Sequence, residues 1–383
     1  MLDRLWRRHR KEEAPQPPSL AGLLATIESL PQDPVPRSHL RNWAFRLKRT
    51  ADFIGHARPH WARFFRRINP YPSPFEHVRI RTQDGVPIAG WYGPPHPGPA
   101  PTWGLVVVPG MFSTKDDTVH KRRTIRIWRE WKVPVVVIDM RAFGESAGIA
   151  TAGWKEAYDV HGAARFLKQK AGIERVAVLA ESMGGAAALN ALALDGESGE
   201  DLLTGGVLAF SAFVDARDAV AYISAEPPAD HPFATAWRGF RRLLSMKSMG
   251  GYERFDEYLE DVARVNGLRG LDELCDLANP KWKVGMMRQP ALLVHAADDP
   301  VVPVRHARRM ERYARERPHI QVVVVPWGGH TGFEAMDPWW FWEVCRRFYG
   351  EVNGVELPNL EHAPAPAKDA EKDLVPDRPL PKR

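Results

Sequence analysis

The sequence predicts a doubly wound, mostly parallel α/β sheet carrying one helical insertion, and three observations lead there. Six short runs rich in Val, Ile and Leu recur between residues 105 and 325, and their apolarity is continuous rather than alternating. That pattern marks strands covered on both faces. Longer amphipathic segments separate the runs, so strand and helix alternate and parallel crossovers follow. The rhythm breaks once, over residues 215–288, where Trp237, Phe240, Met246, Met249, Tyr252, Phe255 and Tyr258 occur with few strand signals.

Taken in order, residues 75–81 and 86–92 alternate in polarity and are joined by Thr82-Gln83-Asp84-Gly85, which predicts a hairpin on the sheet edge. Buried strands are expected at 105–108, 135–138, 176–179, 207–210, 291–294 and 321–325. Helices are expected, among other places, at 158–170, 184–194, 304–316 and 338–349. The domain reading is therefore a core of 71–214 and 289–350, a helical cap over 215–288, a basic N-terminal extension of 1–70 with amphipathic helices and a disordered tail of 351–383. From Pro358 onward the tail is rich in Pro, Ala, Lys and Asp without periodic apolar positions, and is expected to be disordered.

The chain of 383 residues has a net charge of +6, yet residues 1–70 alone hold fourteen Lys and Arg against six acids. The extension is thus +8 and the remainder −2, so the basicity does not belong to the body and a nucleic-acid partner is a poor inference. Within the extension Leu40, Trp43, Leu47, Ala51 and Ile54 fall on one helical stripe, and Trp61, Phe64, Phe65 and Ile68 form a second. A basic amphipathic helix can lie on an anionic membrane or pack on its own protein, and the second is the commoner use. No run of about 18 apolar residues occurs, and the basic start runs into Lys11-Glu12-Glu13 and prolines rather than an apolar stretch. A soluble, cytoplasmic protein is the expectation. Cys275 and Cys345 have no CxxC or Cys/His spacing, which points to reduced structural thiols and to no metal site.

The chemistry gathers at strand ends. Ser182 in Ala180-Glu181-Ser182-Met183-Gly184-Gly185 stands between a buried strand and an Ala-rich helix. This is the pattern of a nucleophile elbow, whose tight turn needs small neighbours. Ala180 stands where the usual pattern has its first glycine. A serine hydroxyl needs a histidine to take its proton and a carboxylate to hold the ring's tautomer. The strand at 291–294 runs into His295-Ala296-Ala297-Asp298-Asp299-Pro300-Val301-Val302-Pro303, and the strand at 321–325 into Pro326-Trp327-Gly328-Gly329-His330-Thr331-Gly332-Phe333. Ser182, Asp299 and His330 are therefore the predicted catalytic residues, in the chain order this kind of sheet requires. Asp298 competes with Asp299, and the spacing to Pro303 favours Asp299, leaving Asp298 to cap or pair locally. The oxyanion donors are expected at the backbone N–H groups of Met183 and of Met111, the latter in Pro109-Gly110-Met111-Phe112. The strand-end cluster from Asp139 to Ser146 reads as loop structure. Glu181, if it faces the pocket, would disfavour acidic substrates.

These motifs resemble the α/β-hydrolase superfamily over roughly residues 75–350. Gly328-Gly329-His330-Thr331-Gly332-Phe333 looks most like the lipase and esterase branch sometimes called AB-hydrolase 4, with softer matches at Ser211-Ala212-Phe213 and Phe255-Asp256-Glu257. The resemblance implies an α/β-hydrolase fold and cleavage of carboxylic esters with apolar acyl groups, without a cofactor. A thioesterase or peptidase using the same three residues is the nearest alternative. A non-catalytic binding protein of this fold is the other, and the intact set of Ser182, Asp299 and His330 argues against it. The aromatic and methionine side chains of 215–288 suit either a lid over an acyl pocket or a packed helical subdomain.

Overall fold

In the computed structural model, residues 20–30, 70–225, 252 and 254–362 are described. Helix α1 (Ala21–Glu28) precedes the hairpin of β1 (Glu76–Arg81) and β2 (Pro87–Gly93). Then follow β3 (Trp103–Val108), α2 (Thr118–Trp131), β4 (Val135–Ile138), α3 (Glu156–Ala171), β5 (Arg175–Glu181), α4 (Ser182–Ser198) and β6 (Val207–Phe210). Helices α5 (Ala216–Ser224), α6 (Phe255–Val265) and α7 (Leu271–Ala278) and a 3-10 turn (Pro280–Met286) come next. The chain returns through β7 (Ala291–Ala296), α8 (Arg305–Tyr313), β8 (Ile320–Val325), the short α9 (Phe333–Met336) and α10 (Pro338–Asn353).

The eight strands lie in the order β1-β2-β4-β3-β5-β6-β7-β8. Pairing is antiparallel from β1 to β2 and from β2 to β4, and parallel across the rest. The hairpin therefore occupies one edge, and its turn uses Gly85 at φ +83°, with Thr82 N donating to the Val86 carbonyl over 3.0 Å. Strand side chains alternate between two cores: Val106, Val108, Val178 and Ala180 pack with α3, α4 and the insertion helices, while Leu105, Val107, Ala177 and Leu179 pack with α1, α2 and α10. Both faces are thus covered, which is why the runs are apolar throughout.

Two stretches differ from the sequence reading. Within the region expected to be a disordered tail, α10 continues to Asn353, Leu357 and Leu360 are buried, and Trp131 Nε1 donates to the Pro358 carbonyl over 3.0 Å. The two leucines and the indole bond, with Asn359 Nδ2 donating to the Trp339 carbonyl and to Glu343, dock a segment that has no helical period. In the extension, Leu20, Leu23, Ile27 and Leu30 are buried as α1 packs on β8 and α10. Each such burial contributes roughly 1.5–3 kcal/mol before ordering costs. The two stripes between Leu40 and Ile68, and Trp237, Phe240, Met246 and Met249 of the insertion, lie outside the described residues. Among the described residues, no helix is long and apolar enough to cross a membrane.

Candidate active site

Strand β5 is buried from Val176 onward and runs straight into α4, so Glu181 ends the strand and Ser182 is the first helical residue. It holds φ +53°, in the left-handed region. For a residue with a side chain this costs on the order of 1–3 kcal/mol and persists only where the surroundings dictate it. The surroundings are close. A Cβ on Gly184 would lie 2.2 Å from the Pro109 carbonyl oxygen, and one on Gly185 would lie 2.7 Å from Ala212 Cβ. Ala180, by contrast, lies in the extended strand, fully buried, and its methyl is accommodated there.

His330 Nε2 is 2.9 Å from Ser182 Oγ, and His330 Nδ1 is 3.1 and 3.0 Å from the two carboxylate oxygens of Asp299. With Nδ1–H donating to Asp299, Nε2 is left as the acceptor for the serine hydroxyl. Asp299 Oδ1 also accepts from the Val301 and Val302 amides, both at 2.9 Å. Burial pushes this carboxyl up, but the neighbouring His330, its hydrogen bond and the Val302 amide outweigh it and hold the group below the usual carboxylate range. Buried His295 sits behind it, with Nε2 2.8 Å from the Val302 carbonyl. Asp298 points elsewhere and accepts from Gly329 N over 2.8 Å. That bond fixes the turn in which Gly328 and Gly329 adopt φ +131° and +53°. Thr331 N approaches Ser211 Oγ at 3.3 Å, which ties the turn to the end of β6.

Met183 begins α4 behind Ser182, and its N–H is one of the helix's leading donors without an intrahelical acceptor. After β3 the chain turns at Gly110, whose carbonyl accepts from Ser113 N over 3.2 Å, with Phe112 at φ +64°. A Cβ on Gly110 would lie 3.2 Å from Ser182 Cβ, so the turn that holds Met111 rests against the serine. Beside it lies a small apolar crevice, with about 10 Å³ of free volume, lined by Met111, Phe112, Phe143, Phe255, Tyr258 and Leu259, among others. Among the described residues, no group of three or more His, Cys, Asp or Glu could hold a metal ion.

A model of the alpha/beta hydrolase family matches residues 126–339, more than half of the chain. The chain belongs to the alpha/beta hydrolase family. Solved structures similar to it include an esterase of Pyrococcus furiosus, at 18% identity and TM-score 0.51, covering 72% of this chain and 91% of that one. An alpha/beta hydrolase from a Penicillium species has 16% identity and TM-score 0.50, covering 73% and 99%. A puromycin-hydrolyzing peptidase of Mycobacterium tuberculosis has 18% identity and TM-score 0.52, covering 74% of this chain but 40% of its own length. At these identities the likeness is one of fold.

On this alpha/beta hydrolase framework lie two charged clusters that local sequence reading does not assemble. Glu181 is not directed at a solvent-filled pocket: it is 2% exposed, and Arg123 Nη1 donates to its Oε1 over 3.0 Å. The condition under which its charge would disfavour acidic substrates, a side chain facing the pocket, is therefore not met, and the buried guanidinium compensates the charge. Arg123 Nε and Nη2 also donate to Glu334 Oε2, at 3.0 and 2.9 Å. Burial works against the charge on Arg123, but Glu181 and Glu334 outweigh it and raise the guanidinium's pKa. In the second cluster the fully buried Lys115 Nζ donates to Asp116, Asp139 and Glu145 at 2.8–2.9 Å. Asp139 further accepts from the Lys115 and Glu145 amides, at 2.7 and 2.9 Å. The stretch from Asp139 to Ser146 thus does structural work, as its loop reading implies.

Proposed function

We propose that this chain is a serine hydrolase that cleaves carboxylic esters of apolar acyl groups, with Ser182 as nucleophile, His330 as base and Asp299 as the acid that orients it. The observation that carries this reading is the unbroken relay from Ser182 Oγ through His330, at 2.9 Å on one ring nitrogen, to Asp299, at 3.0 Å on the other. Ser182 attacks the ester carbonyl as His330 takes its proton. The developing oxyanion is held by the N–H groups of Met183 and Met111, and collapse expels the alcohol, which receives the proton back from His330. Water, deprotonated by the same histidine, then hydrolyses the acyl-enzyme. The cycle draws only on side chains, backbone amides and water.

The apolar lining beside Met111 supports an apolar acyl group, and the contribution of Phe255, Tyr258 and Leu259 to that lining supports a lid role for the insertion. The Gly328-Gly329-His330-Thr331-Gly332-Phe333 ending supports membership of the AB-hydrolase 4 branch. We further propose a cytoplasmic location with peripheral membrane contact through residues 1–70, the segment to test for liposome binding. The experiment for the activity is a series of p-nitrophenyl esters of rising chain length, run beside acyl thioesters and peptides. Turnover of the esters, abolished in Ser182→Ala, is expected. Turnover of thioesters or peptides alone would replace this substrate class.

A further inference from the structure

Three segments must meet for a relay of Ser182, His330 and an oxyanion donor, and they come from distant parts of the chain: the elbow after β5, the loop after β8 and the turn after β3. One side chain touches two of them and stems from the helix that follows the third. Arg123 lies on α2, is 2% exposed, and divides its guanidinium between Glu181 Oε1 at 3.0 Å and Glu334 Oε2 at 2.9–3.0 Å. Glu181 immediately precedes the nucleophile, and Glu334 follows His330 by four positions. The guanidinium also lies over the ring of Phe341 at 4.7 Å. Phe341 in turn packs on Phe210 at 4.9 Å between ring centres, and Phe210 is the sheet neighbour of Glu181. The polar tract continues toward the oxyanion turn. His120 Nε2 is 3.8 Å from Glu181 Oε2 and 3.1 Å from Ser113 Oγ, and Ser113 N closes the turn on Gly110.

From this arrangement we propose that Arg123 is a positioning residue for the reaction proposed above, a clamp that sets the separation of Ser182 and His330 by holding Glu181 and Glu334 at once. The inference rests on that reading of Ser182 as nucleophile. A planar guanidinium presents donors in fixed directions, so two carboxylates bound to it are fixed relative to each other, which an ammonium cannot do. The clamp also accounts for an acidic residue beside the nucleophile. A neutral side chain at position 181 would leave half of a buried cation unmatched, and breaking a buried pair costs far more than never having built it. The strained φ of Ser182 needs surroundings that dictate it, and the Glu181 side chain anchored on α2 is one of them.

The test compares Arg123→Met, Arg123→Lys and Glu334→Ala with Glu343→Ala. Glu343 serves as a buried ion-pair acid remote from the site, bonded to Arg346 and Arg347 on α10. Thermal midpoints, the rate of fluorophosphonate labelling, and kcat and KM on an accepted ester are measured well below the unfolding transition. Arg123→Met and Glu334→Ala are expected to slow labelling and kcat roughly tenfold to a hundredfold, because small misplacements of reacting atoms have effects of that order. KM should stay within about twofold, since ground-state binding is untouched. Arg123→Lys should recover only part of the rate, and Glu343→Ala should lower the midpoint without slowing labelling. Folded Arg123 and Glu334 variants that label at the wild-type rate, or lose no more than the Glu343 control at equal loss of midpoint, overturn the clamp. If Arg123→Met fails to fold, Glu334→Ala decides, because that side chain is 24% exposed and at the margin of the cluster. A wild type that does not label at all removes the nucleophile and the clamp together, whereas equal labelling of wild type and variants removes the clamp alone.

Discussion

The loops after β7 and β8 and the elbow after β5 reach the same sheet edge by different means. Asp299 finds its amide partners two and three residues ahead, at Val301 and Val302, and Asp298 fixes the neighbouring glycine turn through Gly329. The elbow is completed from elsewhere: by the Pro109 carbonyl against Gly184, by Gly110 against the serine, and by Arg123 on Glu181, 58 residues away in sequence. An acid whose amide partners lie in its own loop, as those of Asp299 do, can be read from a short stretch of sequence. A turn whose strain and charge are compensated at long range cannot, and its departures from the usual pattern carry information about what stands behind it.

The comparison can be broken in order of effect. Ser182→Ala should lower kcat roughly a millionfold if the relay acts as a unit. Asp299→Asn should lower it roughly ten-thousandfold by favouring the wrong tautomer of His330. Asp298→Asn, which keeps an acceptor for Gly329, should cost less than about tenfold, and an equal loss for both would erase the distinction between two adjacent acids. The same Asp299→Asn variant has a stability signature. A carboxyl held below its usual range adds stability that is present above the unfolded value of about pH 4 and is lost as the pH falls through the native value. Urea titrations of wild type should therefore weaken on acidification in that window, and those of Asp299→Asn should weaken less.

At the elbow, Gly184→Ala places a methyl 2.2 Å from the Pro109 oxygen. It should cost about 1–3 kcal/mol in denaturant titrations and slow labelling, because the turn or the neighbouring strand end must move. Ala180→Gly restores the residue the usual pattern has and should cost only about 0.5–1 kcal/mol, with kcat little changed. A larger gain or loss of activity there would mean that Ala180 shapes the elbow rather than merely fitting it.

Strand positions, hairpin and crossover helices follow from runs such as 105–108 and 176–179, because continuous apolarity and its interruptions are local, whereas the exchange of β3 and β4 in the sheet order carries no such mark. Ser182, Asp299 and His330 stand out as candidates for the same reason: each lies within about five residues after such a run. Arg123 and Glu334 carry no local mark, since an arginine in a basic amphipathic helix has the pattern of a solvated side chain until the fold buries it. Helix α1 was likewise hidden: Leu20, Leu23 and Ile27 form a stripe too short to stand out from the charged and Pro-rich flanks around it. Leu357 and Leu360 carry no sequence mark either, because docking needs surface complementarity, which periodicity does not record.

The most direct measurement is fluorophosphonate labelling of the full chain, followed by peptide mass spectrometry to locate the adduct. A single adduct on Ser182 is expected, formed in the wild type and absent from Ser182→Ala. An adduct on another residue, or labelling that persists in Ser182→Ala, would contradict it.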